Sequence, residues 1–255
     1  MKTIIVSHTW THGVQHELRD YLNRRKESAV ILIDHPLPEA GGGMPSSCEI
    51  YSSGKKEAVS RIARIKIPPP VSYIQDILYS LLFISRLPGV FDYYIGADSL
   101  NAATGVILKK MGKVKKVIYY SHSLQNRRFS NRIINRIYHR LDRFCLDHAD
   151  SIWNLSSRLT GKRTEQGVGP DKNIWVPIGV NFDEINRQPE DRADSRRLVF
   201  SGLLTKKNGV QLAVTALPLI LNEVPEATLT IIGGGELEAS LKEKVATERL
   251  EKAVR

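Results

Sequence analysis

Short apolar runs alternate with longer segments of helical periodicity along most of this chain. The runs at residues 4–6 and 30–33 have no polar interruption, which is typical of strands buried on both faces of a parallel sheet. Strands separated by helices predict βαβ crossovers, and hence an α/β domain with a mostly parallel sheet. The predicted strands are residues 2–7, 28–34, 61–67, 91–96, 115–121, 151–155 and 173–177, and the predicted helices are 14–26, 71–87, 99–111, 131–148 and 158–166.

The segment 71–87 is the longest apolar stretch. Asp76 and Arg86 interrupt it, so it is too short and too charged to span a bilayer. We interpret it as a helix packed in a domain core. The apolar run at residues 3–6 is also too short for a signal peptide.

The periodicity breaks down after residue 180. Residues 181–197 are polar and charged and read as a linker, which divides the chain into domains at 1–180 and 198–255. The second domain opens with a strand at 198–202 and a helix whose N-cap we expect to be Asn208. A strand at 227–232, a glycine turn and a helix at 236–248 follow. Two strands and two helices are less than half of a doubly wound domain, so we expect the chain to be a fragment of a longer protein.

The formal net charge of +10 indicates a phosphate-bearing partner, without choosing among nucleotides, nucleic acid and anionic lipid. No helix-turn-helix, RNA-recognition or zinc-finger pattern is present, so we expect no nucleic-acid partner. The two cysteines, Cys48 and Cys145, are far apart and lie in apolar surroundings, which favours a reducing, cytoplasmic location.

Two strand-to-helix turns in the second domain suit a phosphate. In the first turn, Gly202 ends a strand, Lys206 and Lys207 follow, and a helix begins near Gly209. The N-terminus of a helix has free N–H groups and a partial positive charge, which attract anions. A solvated turn explains the same residues. The second turn consists of Gly233, Gly234, Gly235 and Glu236. Its glycines would let a ligand approach the backbone closely, but a tight strand-to-helix turn without a ligand explains them equally well.

Together these turns resemble the start of the C-terminal domain of family-four retaining glycosyltransferases, which have the GT-B fold. The resemblance lies in the order strand, glycine, basic loop ending in Gly-Val, helix, and then Pro-Glu-Ala-Thr-Leu-Thr-Ile-Ile-Gly-Gly-Gly at 225–235. The segment Val-Pro-Ile-Gly-Val-Asn at 176–181 is similar to the family's interdomain segment. The resemblance implies one complete Rossmann-like domain, followed by the first βαβα part of a second.

Two departures matter for donor binding. Leu203 stands where the family has an arginine that binds phosphate, and Lys206 or Lys207 is the candidate replacement. The family's paired-glutamate motif lies beyond Arg255. We therefore expect the 255-residue chain alone to be inactive.

In the first domain the resemblance directs attention to the carboxyl edge of the sheet, where ligands bind in open α/β folds. His122 after the strand at 115–121 is the candidate catalytic residue, near the transferred sugar, and a surface histidine is the alternative. Gly13 is a candidate contact to the donor phosphate. His8 and His12 are candidates on the acceptor side, with a plain loop role equally open for His8.

A basic stripe accompanies the helix at 131–148. Arg128, Arg132, Arg136 and Arg140 recur every four residues opposite an apolar face, which suits an anionic membrane surface or a phosphorylated lipid as well as a simple solvated face.

The function implied is transfer of a hexose-type unit from a nucleoside diphosphate sugar to a saccharide or lipid-linked acceptor, as in polysaccharide or glycolipid synthesis. The resemblance implies no metal and no cofactor, the nucleotide sugar being a co-substrate. A noncatalytic acceptor-binding module and a nucleotide-sugar epimerase on the same scaffold remain open.

Overall fold

The computed structural model describes residues 1–9, 13–25, 29–37, 44–124, 127–179, 185 and 194–255. The chain divides into two compact units, residues 1–182 and 183–255. We call them unit 1 and unit 2 and describe each by itself. The linker expected at 181–197 lies largely outside the described residues.

Unit 1 is built on an eight-stranded sheet of order β4-β3-β2-β1-β5-β6-β7-β8. Its strands are β1 Lys2–Thr9, β2 Ala29–Pro36, β3 Ser46–Ser52, β4 Lys55–Ile62, β5 Phe91–Ala97, β6 Val114–Ser121, β7 Ser151–Asn154 and β8 Asn173–Trp175. The helices are α1 Val14–Arg24, α2 Pro69–Ser85, α3 Ser99–Lys110, α4 Arg132–His148 and α5 Ser157–Glu165. All pairs except β2–β3 and β3–β4 are parallel, which confirms the predicted α/β fold.

Alternate side chains of β1 explain why both faces of the sheet are covered. Ile4 and Val6 pack under α2, α3 and α4, whereas Ile5 packs on the opposite face with Leu18 of α1. Each is fully buried or nearly so, because every strand residue in the middle of such a sheet faces a core.

The strand predicted at 61–67 is wrong in position. The backbone forms a hairpin from β3 and β4, turning at Ser53 and Gly54, whose φ values are 50° and 86°. This antiparallel hairpin occupies the edge of the sheet. β4 is almost wholly exposed and rich in lysine and other charged residues, a pattern that discourages pairing with a further chain.

The expectation for residues 71–87 also needs correction. One side of α2 is buried through Phe83 and Ile84, but the opposite side is not in a core. Large apolar side chains remain exposed there, at Val71, Ile74, Leu78 and Leu82.

Unit 2 contains a two-stranded parallel sheet with two helices. The strands are β9 Arg197–Ser201 and β10 Thr228–Ile232, and the helices are α6 Val210–Glu223 and α7 Glu238–Thr247. Leu229 of β10 packs with Val214 and Leu217 of α6 and with Leu241 of α7. Asn208 is not the N-cap of α6: it ends a short 3₁₀ turn, Lys206–Asn208, and Gly209 takes the cap position.

Candidate active site

The parallel strands of unit 1 bring three polar side chains to one edge. His8 lies at the end of β1, Asp98 directly follows β5, and His122 directly follows β6. These strands are neighbours in the sheet, so their carboxyl ends form one ligand-accessible edge. The structure thus places His8 in the strand itself, one residue beyond the strand end that the sequence indicated.

His8 is bound on both sides by carboxylates. Its Nδ1 lies 2.8 Å from Asp98 Oδ2 and its Nε2 lies 3.1 Å from Asp76 Oδ2. Burial opposes the charged ring, but the charge of Asp98 and hydrogen bonds to Asp76 and Asp98 outweigh burial and raise the His8 pKa to about 9. Arg64 forms an ion pair with Asp76. At neutral pH these four side chains carry two positive and two negative charges.

A second histidine behind this cluster has the opposite character. Burial and the positive charge of His8 lower the pKa of His35 to about 3. Its neutral ring bridges the hydroxyls of Ser46 and Ser80, at 2.9 Å and 2.8 Å. His35 therefore packs against His8, with ring centroids 5.8 Å apart, without adding charge to the cluster.

Asp98 combines a structural role with backbone strain. Its Oδ1 accepts a hydrogen bond from Asn101 N at 3.0 Å and so caps α3. Its φ of 97° is rare for a residue other than glycine and costs on the order of 1–3 kcal/mol. Strain of this kind persists where the surroundings fix a side chain, here through the bond to His8. No pattern in the sequence indicates the pairing of Asp98 with His8, which lies 90 residues away along the chain.

His122 has a different environment from His8. Burial lowers the pKa of His122 against a smaller opposing effect of the Asp98 charge, so the ring is neutral at pH 7. Its buried Nε2 has no hydrogen-bond partner within the described residues. His122 lines a polar pocket of about 350 Å³ beside the start of α5, together with Arg158 and Lys162. A neutral histidine whose ring lines a basic pocket can contact an anionic or hydroxylated ligand there.

Gly13 lies at the start of α1, and His12 lies outside the described residues. The Gly13 N–H is bonded to His16 Nδ1 at 3.0 Å, and His16 Nε2 in turn lies 3.1 Å from Asp34 Oδ2. A phosphate at Gly13 would therefore have to displace the His16 ring. The donor-phosphate role of Gly13 stays a prediction.

The start of α6 in unit 2 has the features of an anion site. No side chain caps the helix, and Gly209 enters it with φ 77°. Leu212 N donates to Gly209 O, but the N–H groups of Val210 and Gln211 have no acceptor among the described residues. Lys206 and Lys207 are exposed in the turn just before it. Neither lysine has an ion-pair partner among the residues that the structure describes. Both cations are therefore available to a ligand.

The glycines of unit 2 are explained by contact between two loops. A Cβ at Gly233 would lie 2.0 Å from the carbonyl oxygen of Gly202, and a Cβ at Gly235 would lie 2.7 Å from that of Leu204. Both have φ values, 148° and 156°, that disfavour other residues. Gly234 has more space and Glu236 is exposed. The packing holds the loop at Gly202 against the loop at Gly233, and a donor contact at either remains a prediction.

Unit 1 also contains an apolar pocket that no sequence pattern indicates. It has a volume of about 370 Å³ and lies between α2 and α4, with His8 and Asp98 among its lining residues. Arg128 lies in the loop before α4, outside the helix predicted at 131–148, and Asn131 caps the helix by accepting hydrogen bonds from Ile133 N and Ile134 N. No pattern along the chain links α2 to this loop.

Comparisons with known proteins agree with this architecture. Residues 181–255 match the family described as glycosyl transferases group 1. The sequence has no significant match among curated proteins.

Three solved structures illustrate the fold, each covering 100% of this chain. The catalytic domain of starch synthase IV from Arabidopsis thaliana, bound to ADP and acarbose, has 11% identity and a TM-score of 0.60, and the chain spans 73% of it. The pneumococcal O-GlcNAc transferase GtfA, in complex with UDP and GlcNAc, has 13% identity and a TM-score of 0.58, over 75% of its length. UDP-N-acetylglucosamine 2-epimerase from Rickettsia bellii has 12% identity and a TM-score of 0.55, over 68%.

The chain therefore has the fold of GT-B nucleotide-sugar enzymes. The match over residues 181–255 confirms the resemblance to glycosyl transferases of group 1. Within the described residues, no helix is long and apolar enough to cross a membrane, and no three His, Cys, Asp or Glu side chains form a metal-binding group.

Proposed function

We propose that this chain is part of a glycosyltransferase that moves a hexose-type unit from a nucleoside diphosphate sugar to a saccharide or lipid-linked acceptor. The observation that carries the proposal is the uncapped start of α6 beside Lys206 and Lys207, within the segment that matches group 1 glycosyl transferases. Departure of a nucleoside diphosphate builds up negative charge, and cations with a helix N-terminus stabilise that charge without a dedicated nucleophile.

The residues of unit 1 take complementary roles in this proposal. His122, neutral and without a hydrogen-bond partner at Nε2 in the described part of the chain, contacts the transferred sugar. His8 is only 4% exposed and both ring nitrogens are bonded to carboxylates. That geometry favours a positioning role, in which His8 holds Asp98 at the acceptor side.

Finer parts of the proposal rest on the family resemblance. We infer retention of configuration at the anomeric carbon, no metal or organic cofactor, and a cytoplasmic enzyme that meets the anionic face of a membrane through α4. Polysaccharide or glycolipid synthesis is the process that such a reaction serves. Turnover by these 255 residues alone is expected to be negligible, because the family's paired glutamates are not among them.

The test is calorimetric titration of the 255-residue protein with UDP, ADP and GDP, each compared with its nucleoside. We expect at least one diphosphate to bind more tightly than its nucleoside, and the K206Q/K207Q variant to bind it about tenfold more weakly, since two exposed cations together contribute on the order of 1 kcal/mol. Lys252→Gln, another exposed lysine of unit 2, is the matched control and should change nothing. Equal affinity for nucleoside and diphosphate would refute the proposed donor site.

A nucleotide-sugar epimerase is the second candidate, because the Rickettsia enzyme shares the fold at a comparable TM-score. Proton NMR of a nucleotide-sugar panel separates the two reactions. An epimerase inverts the configuration at one carbon of the donor sugar and needs no acceptor. A transferase releases nucleoside diphosphate and requires an acceptor. Appearance of epimerised donor would move the epimerase to first place.

A further inference from the structure

The outer face of α2 is apolar from Val71 to Leu82. Ile74 and Leu78 are each 57% exposed, and Val71 and Leu82 continue the row. The one charged side chain within α2, Asp76, points the other way and is fully buried in the His8 cluster. A contiguous exposed apolar row of this kind marks a binding surface.

The pocket between α2 and α4 opens onto this face. Ile74 of α2 and Ile137 of α4 line the pocket and are 57% and 58% exposed, so apolar walls reach solvent on both sides. The remaining apolar lining comes from Tyr73, Ile77, Leu100, Phe129, Ile134, Tyr138 and Leu141. We call this pocket the α2–α4 groove; its exposed rim is Ile74 on α2 and Ile137 on α4. Its walls suit a hydrocarbon chain and offer few polar groups to a saccharide.

Arg128 supplies a fixed cation in the groove. Its guanidinium lies 5.5 Å from the ring centroid of Tyr138 and 5.8 Å from that of Phe129. The Arg128 backbone N–H donates to Asn135 Oδ1 at 2.9 Å, which ties the loop to α4. No carboxylate of the described residues lies within ion-pair distance of Arg128. A planar guanidinium held in this way is suited to a phosphate.

The charge around the groove favours an anion. His8 and Arg64 balance Asp76 and Asp98, so the cluster at its inner end is neutral overall. On α4, the exposed arginines at 132, 136 and 140 lie on the face opposite the groove, so among the described arginines only Arg128 lines it; the first acidic residue of the helix is the buried Asp142. The groove therefore combines apolar walls with one cation, Arg128, which has no ion-pair contact in the described part of the chain.

We propose that the α2–α4 groove binds the acceptor as a single lipid-linked phosphate, its hydrocarbon chain between α2 and α4 and its phosphate on Arg128. This inference rests on the proposed function, because it narrows the acceptor from saccharides and lipids in general to amphiphiles that carry a phosphate. Charge complementarity and the apolar walls favour this occupant over a free sugar, and the concave shape of the groove, with a volume of about 370 Å³, favours it over contact with a flat bilayer.

The experiment is calorimetric titration of the 255-residue protein with octyl phosphate, with octanol and inorganic phosphate as the two partial ligands. We expect octyl phosphate to bind more tightly than either. In Arg128→Gln its affinity should fall about tenfold or more, to that of octanol, whose own affinity is unchanged. Ile74→Gln should weaken both octyl phosphate and octanol at least about threefold. Leu78→Gln is the matched control: it is equally exposed on the same helix but does not line the groove, and should change neither affinity.

Two results would overturn the inference. Octyl phosphate binding no better than octanol and inorganic phosphate would remove the site. Equal losses in Ile74→Gln and Leu78→Gln, together with equal losses of binding to phosphatidylglycerol vesicles, would show adsorption to a bilayer in place of a groove for one lipid. Circular dichroism of each variant checks folding, and Ile137→Gln with Ile133→Gln repeats the comparison on α4. Titration with nucleoside diphosphate on the same samples distinguishes failure of this inference from failure of the proposed function.

Discussion

The His8 cluster predicts a decline in the stability of unit 1 across the neutral to mildly alkaline range. The pKa of His8 is raised from 6.5 to about 9 in the folded state. A group with a raised pKa contributes its full stabilisation below 6.5, and that contribution disappears as the pH rises through 9. With these two values, the His8 contribution falls by about 2 kcal/mol between pH 7 and pH 8.5.

Between pH 7 and pH 8.5 the other groups with shifted pKa values change the stability less than His8 does. The pKa of His35 is lowered to about 3, so His35 is neutral in both folded and unfolded chains above pH 7.5 or so. Burial raises the pKa of Cys48 to about 12 and raises that of Cys145 as well, so ionisation of the unfolded thiols lowers stability by about 0.4 kcal/mol each at pH 8.5, less than the change from His8. The measurement is urea unfolding at half-unit steps from pH 7 to 8.5, followed by near-ultraviolet circular dichroism.

Variants separate His8 from the remaining histidines. His8→Gln should abolish most of the pH dependence, whatever its effect on absolute stability, while His148→Gln, on the exposed end of α4, should retain it. Because His8→Gln leaves two carboxylates without their cation and can unfold, the NMR titration of the His8 ring in the unmodified protein is the second readout. A His8 pKa below 7, or an unchanged slope in His8→Gln, would refute the reasoning.

Three further predictions concern buried contacts. Arg163, fully buried, donates to Asp142 at 2.6 Å, so Arg163→Met should lower the free energy of unfolding by about 3–5 kcal/mol in urea titrations, because a buried carboxylate loses its partner. Gly233→Ala should destabilise unit 2 by more than about 2 kcal/mol through its 2.0 Å contact with a backbone oxygen, whereas Gly234→Ala should be mild, as thermal unfolding of both variants will report. Cys145, fully buried with its pKa raised by burial, should react with Ellman's reagent only after unfolding.

Each of these predictions has an outcome that contradicts it. The double variant R163M/D142L should recover part of the stability, and no recovery would mean that packing and not charge sets the loss. Similar melting temperatures for Gly233→Ala and Gly234→Ala would show that the two loops do not touch as described. Rapid labelling of the native protein at pH 7.5 would contradict the burial of the cysteines.

The parallel part of the fold could be predicted because its signal lies within each strand. Ile4 and Leu32 belong to uninterrupted apolar runs, and such runs are required wherever both faces of a strand are covered. The edge hairpin lacks that signal. β4 carries charged residues on exposed positions, and its only local mark is the Ser53-Gly54 turn.

At the start of α6 the predicted N-cap, Asn208, differs by one residue from the observed cap, Gly209. Asn208 is a good N-cap type, yet its side-chain amide donates to Leu203 O at 2.9 Å. Gly209 takes the cap because φ 77° is accessible to glycine at little cost. The position of the helix was thus predictable, but the identity of the cap depended on the loop that precedes it.

The candidate site was only partly predictable, because the sheet topology brings strand ends together but does not indicate which side chains pair across them. Placing His8 and His122 at one edge follows from the parallel sheet. The pairing of His8 with Asp76 joins residues far apart in sequence, and Asp76 looked like an interruption in an apolar helix. The α2–α4 groove likewise lies between two helices that are distant in sequence. The residue spacing within either helix does not predict that the two helices meet.

The central claim is that the start of α6 binds the diphosphate of a nucleotide sugar, and hydrogen–deuterium exchange tests it most directly. The exchange of peptides covering residues 202–213 should slow in the presence of a nucleoside diphosphate and not in the presence of the nucleoside, because only the diphosphate occupies the free N–H groups of the helix. Protection confined to other segments, or equal protection by the nucleoside, would contradict the account.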